Sequence, residues 1–261
     1  MNTKERRRHL VIELVVTMAT VGLLLGFVGA GGSGFIISLL TVVFGYPIHT
    51  SLGTALAAMI FSSLAGAVSH YREGNIALGT GAVVGGAGML GAWLGSLGSN
   101  GISGEELKWM TAGMLLLSGL AMWLRMWLVA RRQDREASAT RSRIPSYWAA
   151  ACLVGLVTGV LSGIFGIGAT PFIQIGLMAV LGLSIRQAAG TTMMVIIPIA
   201  IGGGAGYYQL GHLDVRLLLE VAGGVMLGSY IGAKFTRRVR TVVLQTAMVL
   251  LPMVGAAILM L

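Results

Sequence analysis

The sequence predicts an all-α protein threaded repeatedly through a membrane, and three observations predict it. Hydrophobic residues make up 56% of the chain and charged residues only 10%, where a soluble domain carries roughly 25% charge. At 261 residues, spans of about 20 residues with short loops leave room for about eight crossings. The third observation is a repeat. A displacement of 137 residues lays Gly26-Phe27-Val28-Gly29-Ala30-Gly31-Gly32-Ser33-Gly34 on Gly163-Ile164-Phe165-Gly166-Ile167-Gly168-Ala169-Thr170-Pro171. Between 22–97 and 159–234, 23 of 76 positions match without a gap, as an internal structural repeat does.

Residues 10–30 read as the first span. They follow a basic start but are too long an apolar run for a signal peptide, and they contain Glu13. Residues 33–44 are apolar yet only about half a span long, and Gly45-Tyr46-Pro47 stops them, because proline cannot continue a helical ladder. Spans follow over 50–71, 76–97 and 107–129. The second half repeats the plan over 148–167, the short 172–181, 186–210, 213–233 and 241–261. The domain reading is therefore a membrane repeat over 1–130, a basic linker over 131–147 and a second repeat over 148–261. Many of the 40 glycines fall four apart, as in Gly155/Gly159/Gly163, Gly91/Gly95 and Gly224/Gly228/Gly232. That spacing lets helix backbones approach closely in lipid.

The net charge of +9 sits at segment ends rather than on one folded face, which argues for a membrane surface and against nucleic acid. Lys4, Arg6, Arg7 and Arg8 precede the first span, and Arg131, Arg132, Arg135, Arg141 and Arg143 fill the linker. If both are cytoplasmic, each half holds an even number of crossings. Four full spans plus one re-entrant half-helix satisfies this and places the N-terminus inside. Lys234, Arg237, Arg238 and Arg240 then lie outside, against the rule. The alternative is a five-plus-five inverted repeat, in which the short segments cross.

The glycine clusters are the candidate site. A helix stopped within the bilayer leaves orphan backbone groups, tolerated where they line a cavity or meet a ligand, and amides at a helix start attract anions. Gly29, Gly31, Gly32 and Ser33 in the first copy, and Gly166, Gly168 and Thr170 in the second, supply such groups. Hydroxyls and amides come from Thr50, Ser51 and Thr54 and, in the second copy, from Gln187, Thr191 and Thr192, with Gln174 completing the set. Bonding of each hydroxyl to its own helix backbone is the structural alternative.

Other polar residues have plainer explanations. Arg216 and Glu220 fit a helix-face ion pair, His212 and Asp214 a solvated turn and helix cap, and Tyr71, Tyr207, Tyr208 and His70 an interfacial belt. His49 and Arg186 hold equivalent places before the third helix of each copy, where positive charge would draw in an anion. The lone Cys152 has no partner for a disulfide within the chain. No zinc spacing, phosphate loop or nucleophile elbow survives inspection, so the reading is not an enzyme, with no cofactor and no metal.

These motifs resemble the sulfite exporter TauE/SafE family. The resemblance rests on Gly26 to Gly34, Gly53-Thr54-Ala55-Leu56 and Tyr71-Arg72-Glu73-Gly74-Asn75-Ile76. In the second copy it rests on Gly163 to Gly168, Ala189-Gly190-Thr191-Thr192 and Tyr208-Gln209-Leu210-Gly211-His212-Leu213-Asp214. It implies a secondary transporter in the bacterial inner membrane, exporting sulfite, sulfoacetate or another organosulfonate by alternating access. A channel or a non-transporting scaffold are the rival readings. The implied partners are a small anion and the bilayer, with a homodimer as an option and no nucleic acid. The chain departs from the family at Gly31-Gly32-Ser33-Gly34, which lacks the usual proline, and at Gly168-Ala169-Thr170-Pro171.

Overall fold

The computed structural model describes residues 3–28, 33–132, 146–236 and 241–261. Those residues are helical or in short connections, with no strand among them. In chain order they form α1 (Thr3–Val28), the short α2 (Ser33–Ser38) and, after a π-helical turn (Leu39–Val43), α3 (Ile48–Arg72), α4 (Leu78–Ser99) and α5 (Gly104–Arg132). Then come α6 (Ser146–Phe165), the short α7 (Thr170–Ile175) with its own π-helical turn (Gly176–Val180), α8 (Ile185–Gln209), α9 (Val215–Thr236) and α10 (Thr241–Met260). The bounds of α2, α3, α4 and the first π-helical turn each recur 137 residues later. So do the left-handed glycines that end these elements: Gly45 pairs with Gly182, and Gly74 with Gly211.

Among the described residues five helices are long and apolar enough to cross a membrane: 48–72, 78–99, 104–124, 147–165 and 185–209. Shorter apolar helices cover 11–25, 33–43, 170–180 and 249–260. Exposed Leu, Val, Ile, Trp and Tyr side chains are spread along the outside, among them Leu90, Leu117, Trp123, Leu153, Leu219 and Tyr230. In water such a surface would be a large liability; in lipid it is the ordinary solvent-facing side.

Glycine decides which helices meet. A Cβ added at Gly155, Gly159 or Gly163 of α6 would run into the backbones at Val84, Gly88 and Ala92 of α4. The contact numbers rise together, so α4 and α6 run parallel. The same holds for α1 and α9, where Gly224 and Gly228 meet Val15 and Ala19. It holds for α4 and α8, where Gly81 faces Thr191, Gly85 faces Val195 and Gly202 faces Met89. By contrast α3 and α8 are antiparallel: Gly53 meets Tyr207, Leu56 meets Gly203 and Gly66 meets Met193.

These directions correct one expectation. A short segment that turned back would make α6 and α8 run in opposite directions. Both run parallel to α4, so the chain between them returns to the end from which α6 started. The four-plus-four arrangement also needs α3 parallel to α8, and they are antiparallel. Length misled here: an 11-residue helix rises only about 16 Å, which reads as half a span, yet the direction of the helices around it is set by packing.

Candidate functional site

The site grows from the break between α6 and α7. Gly166 and Gly168 both have φ of 64°, and Ala169 has φ of 43° with ψ of 26°. Glycine takes this left-handed conformation freely, whereas an alanine there costs roughly 1–2 kcal/mol. Strain of this kind in a buried residue (Ala169 is 0% exposed) persists only where the surroundings enforce it, and it marks functional breaks. The turn is wedged against α3: a Cβ at Gly166 would lie 2.9 Å from Leu52, and one at Gly168 would meet the end of Met59. Pro171 follows Thr170 at the start of α7, where its missing N–H costs no helical bond.

Tyr207 of α8 closes the other side of the break. Its hydroxyl donates to Gly163 O at 2.8 Å and Ile164 O at 3.1 Å, the carbonyls that α6 leaves unpaired where it ends. The interfacial-belt expectation is wrong for this residue, which is wholly buried, while Tyr71 and Tyr208 are each 62% exposed. Its position opposite a glycine-terminated helix was not visible as a signal, because the two lie 44 residues apart.

The expected site residues separate into two groups by hydrogen bonding. Thr192 Oγ1 donates to Ala188 O at 2.7 Å and Ser51 Oγ to Pro47 O at 3.2 Å, each bonding its own helix. Thr191 Oγ1 accepts from Ala77 N at 3.0 Å and so ties the start of α4 to α8. Gln187 is exposed and Thr50 half-buried at the starts of their helices. Buried without a hydrogen-bond partner are Ser33 Oγ, Thr54 Oγ1, Thr170 Oγ1 and Gln174 Oε1. Gly29, Gly31 and Gly32 lie outside the described residues.

Ser33 and Thr170 hold equivalent positions, the first residue of each short helix, and are 1% and 5% exposed. Gln174, 5% exposed, lies one turn beyond Thr170 on the same face. Three further hydroxyls, not anticipated, are buried and unpartnered: Ser162 of α6, Thr111 of α5 and Thr41 in the π-helical turn after α2. Ser162 precedes Gly166 by one turn and its carbonyl takes the Gly166 amide at 2.8 Å; that spacing was the available signal. The short helices sit at the junction of the two halves, α2 against α3 and α10, α7 against α5, α6 and α8.

Elsewhere the plainer readings hold. Arg216 Nε bonds Glu220 Oε1 at 3.0 Å, and Asp214 Oδ1 caps α9 by accepting from Arg216 N and Leu217 N. Among the described residues no three His, Cys, Asp or Glu side chains are grouped to hold a metal. An apolar groove of about 680 Å³, lined by Met110, Gly113, Met114, Leu117, Phe165 and Met253, offers nothing to an anion.

Broken helices inside an apolar bundle, with neutral polar groups buried at the break, define a polytopic membrane protein of the transporter class. The chain belongs to the sulfite exporter TauE/SafE family, whose model matches residues 14–259. It is 47% identical over 247 residues to the probable membrane transporter protein YdhB of Bacillus subtilis (strain 168), covering 95% of this chain and 99% of that one. It is 26% identical over 232 residues to a probable membrane transporter protein of Xylella fastidiosa (strain 9a5c), covering 86% and 87%. The probable membrane transporter protein MJ0441 of Methanocaldococcus jannaschii is 24% identical over 241 residues, covering 87% and 86%. No solved structure matches the chain.

Proposed function

We propose that the protein is an alternating-access secondary transporter for a small sulfur-containing anion, sulfite or an organosulfonate, in the bacterial inner membrane, working as an exporter. The observation that carries this reading is the α6–α7 break with Thr170 and Gln174 buried and unpartnered beside it. A buried polar group without a partner costs about 1–3 kcal/mol; an anion can accept from the Thr170 hydroxyl and, with the side-chain amide turned over, from the Gln174 amide nitrogen, whereas Gln174 Oε1 can only accept. An uncharged site binds weakly enough to release its cargo. Ser33, buried and unpartnered, opens the corresponding short helix of the first copy.

The architecture we propose is a five-plus-five inverted repeat. Parallel α1/α9 and α4/α6 pairs, together with antiparallel α3/α8, are what five crossings per half produce. Orientation then follows from charge. The end that holds the α3–α4, α5–α6, α7–α8 and α9–α10 connections carries twelve of the 18 Lys and Arg residues, and the end that holds both termini carries six. The positive-inside tendency therefore favours a cytoplasmic linker and an N-terminus outside, opposite to the orientation that follows from four-plus-four. Alkaline phosphatase fused at Gly101 should be active and at Arg238 inactive; the reverse pattern would restore a cytoplasmic N-terminus.

The transport reading is tested by counterflow of labelled sulfite in proteoliposomes. Wild type should accumulate label transiently, and Thr170→Val and Gln174→Ile should each lose most of that accumulation with protein levels intact. Unsaturable flux without counterflow would instead indicate a channel, and wild-type rates in both variants would remove the site.

A further inference from the structure

The two ends of the bundle are tied together in different ways. At one end the tie between halves is neutral: Thr191 Oγ1 of α8 accepts from Ala77 N before α4. At the other end two histidines meet. His49, in the first turn of α3, and His212, in the α8–α9 connection, stack with ring centroids 4.9 Å apart and an interplanar angle of 27°. Each Nε2 lies 3.1 Å from an oxygen at the end of α4: His49 from Ser99 O, and His212 from Asn100 Oδ1. Ser99 O can only accept, so His49 Nε2 donates to it, and His212 Nε2 donates to Asn100 Oδ1 as that amide is oriented. The contact crosses between halves, since His49, Ser99 and Asn100 belong to the first and His212 to the second.

We propose that the His49–His212 stack is a proton site that latches this end of the protein, closed when both rings are neutral and released when one is protonated. This rests on the alternating-access reading in one respect, that the halves move against each other. A proton on His212 Nδ1 creates a charge stacked on the neighbouring His49 ring, in a half-buried place. Burial and then the nearby His49 hold the His212 pKa below its ordinary value, so the closed latch resists protonation. The separated, hydrated rings have the higher proton affinity. Acid therefore favours the open state, as pH falls through and below about 6.5, the ordinary histidine value.

The other charged groups on the elements that meet here do not cancel this. Asp214 is committed to the α9 amides, and Arg216 to Glu220. Glu105 and Glu106 are exposed at the start of α5, with Lys108 a turn later. Tyr46, in the connection before α3, has its pKa pushed up by burial and then by Glu220 and Asp214, so it stays neutral throughout. The position equivalent to His212 in the first copy is Asn75, and the one equivalent to His49 in the second is Arg186. Among the described residues a stacked histidine pair joins the halves at one end, while the single histidine at the other end, His70, stands 3.9 Å from Glu73 of its own half; that asymmetry would give transport a direction.

The test uses the full-length protein in lipid nanodiscs, with Cys152→Ser removing the native thiol. Spin labels go on Gly101→Cys in the α4–α5 connection and Val215→Cys at the start of α9, both exposed positions on either side of the latch. The inter-label distance should be short at pH 8 and lengthen by several ångströms at pH 5.5, reversibly and without substrate. His212→Asn, which copies the residue that the first half tolerates, and His49→Gln should abolish the response to pH. An unchanged distance in the parent, or the same lengthening in both variants, would overturn the proposal. Because no anion is needed, failure of the sulfite assay would leave this result standing.

Discussion

The two short helices hold the same register in the two halves and are equipped differently. Each opens on a buried, unpartnered hydroxyl, Ser33 in α2 and Thr170 in α7. One turn on, α2 has Ile37, wholly buried in the core, where α7 has Gln174 with Oε1 unsatisfied. At the next residue α2 has Ser38, whose Oγ donates to Gly34 O at 2.9 Å and to Gly255 O of α10 at 2.6 Å; α7 has Ile175. Polar capacity in the first half is therefore spent on fastening α2 to α10, while in the second half it is left open. The comparison teaches that equivalent breaks need not be equipped alike: α2 is tethered to α10 through Ser38, and α7 keeps a second buried polar group, Gln174, unpartnered.

The largest effect should come from Gly168→Val. It places a branched side chain at a left-handed backbone position and drives it into Met59, so we expect loss of nearly all folded protein in detergent, measured by size-exclusion monodispersity. Tyr207→Phe comes next. It leaves Gly163 O and Ile164 O without their donor, a cost of about 1–3 kcal/mol, and should lower the melting temperature by several degrees. If the break tolerates that loss without destabilisation, the buried tyrosine is not what closes it.

Exchange of the distinguishing residue sharpens the contrast. Gln174→Ile makes α7 resemble α2 and should reduce sulfite affinity at least tenfold, about 1.4 kcal/mol, with little change in stability. Ile37→Gln should not create a second high-affinity site, since Ser38 keeps α2 fastened. Ser38→Ala should cost only about 1 kcal/mol and leave transport close to wild type. Smallest of all is Gly113→Leu, where an added Cβ meets nothing within 4 Å and the groove is apolar; stability should shift by less than about 0.5 kcal/mol.

Much of this architecture was legible in the sequence because hydrophobicity and glycine spacing are local signals. Residue 33 was placed as the start of the short segment that begins at Ser33, and Gly45-Tyr46-Pro47 as its end. The four-residue glycine spacing named the residues that bring α4 onto α6 and α1 onto α9. What was not legible depends on the partner. Thr191 and Gln174 are both neutral, polar and in apolar surroundings, yet one satisfies Ala77 N and the other satisfies nothing. Likewise, nothing local shows that His49 and His212, 163 residues apart, face each other, or that Tyr207 turns inward while Tyr208 turns out. Whether a short segment crosses depends on the direction of its neighbours, which only packing reveals.

The most direct test of the central claim is to watch Gln174 itself. With side-chain amides labelled with ¹⁵N, the resonances of Gln174 can be assigned by comparison with Gln174→Ile and followed as sulfite is added to the protein in nanodiscs. If the α6–α7 break holds the anion, those resonances shift saturably while Gln187 and Gln209 stay fixed. If the Gln174 amide does not move at sulfite concentrations that drive counterflow, the anion binds elsewhere, and the break is only a fold in the helix.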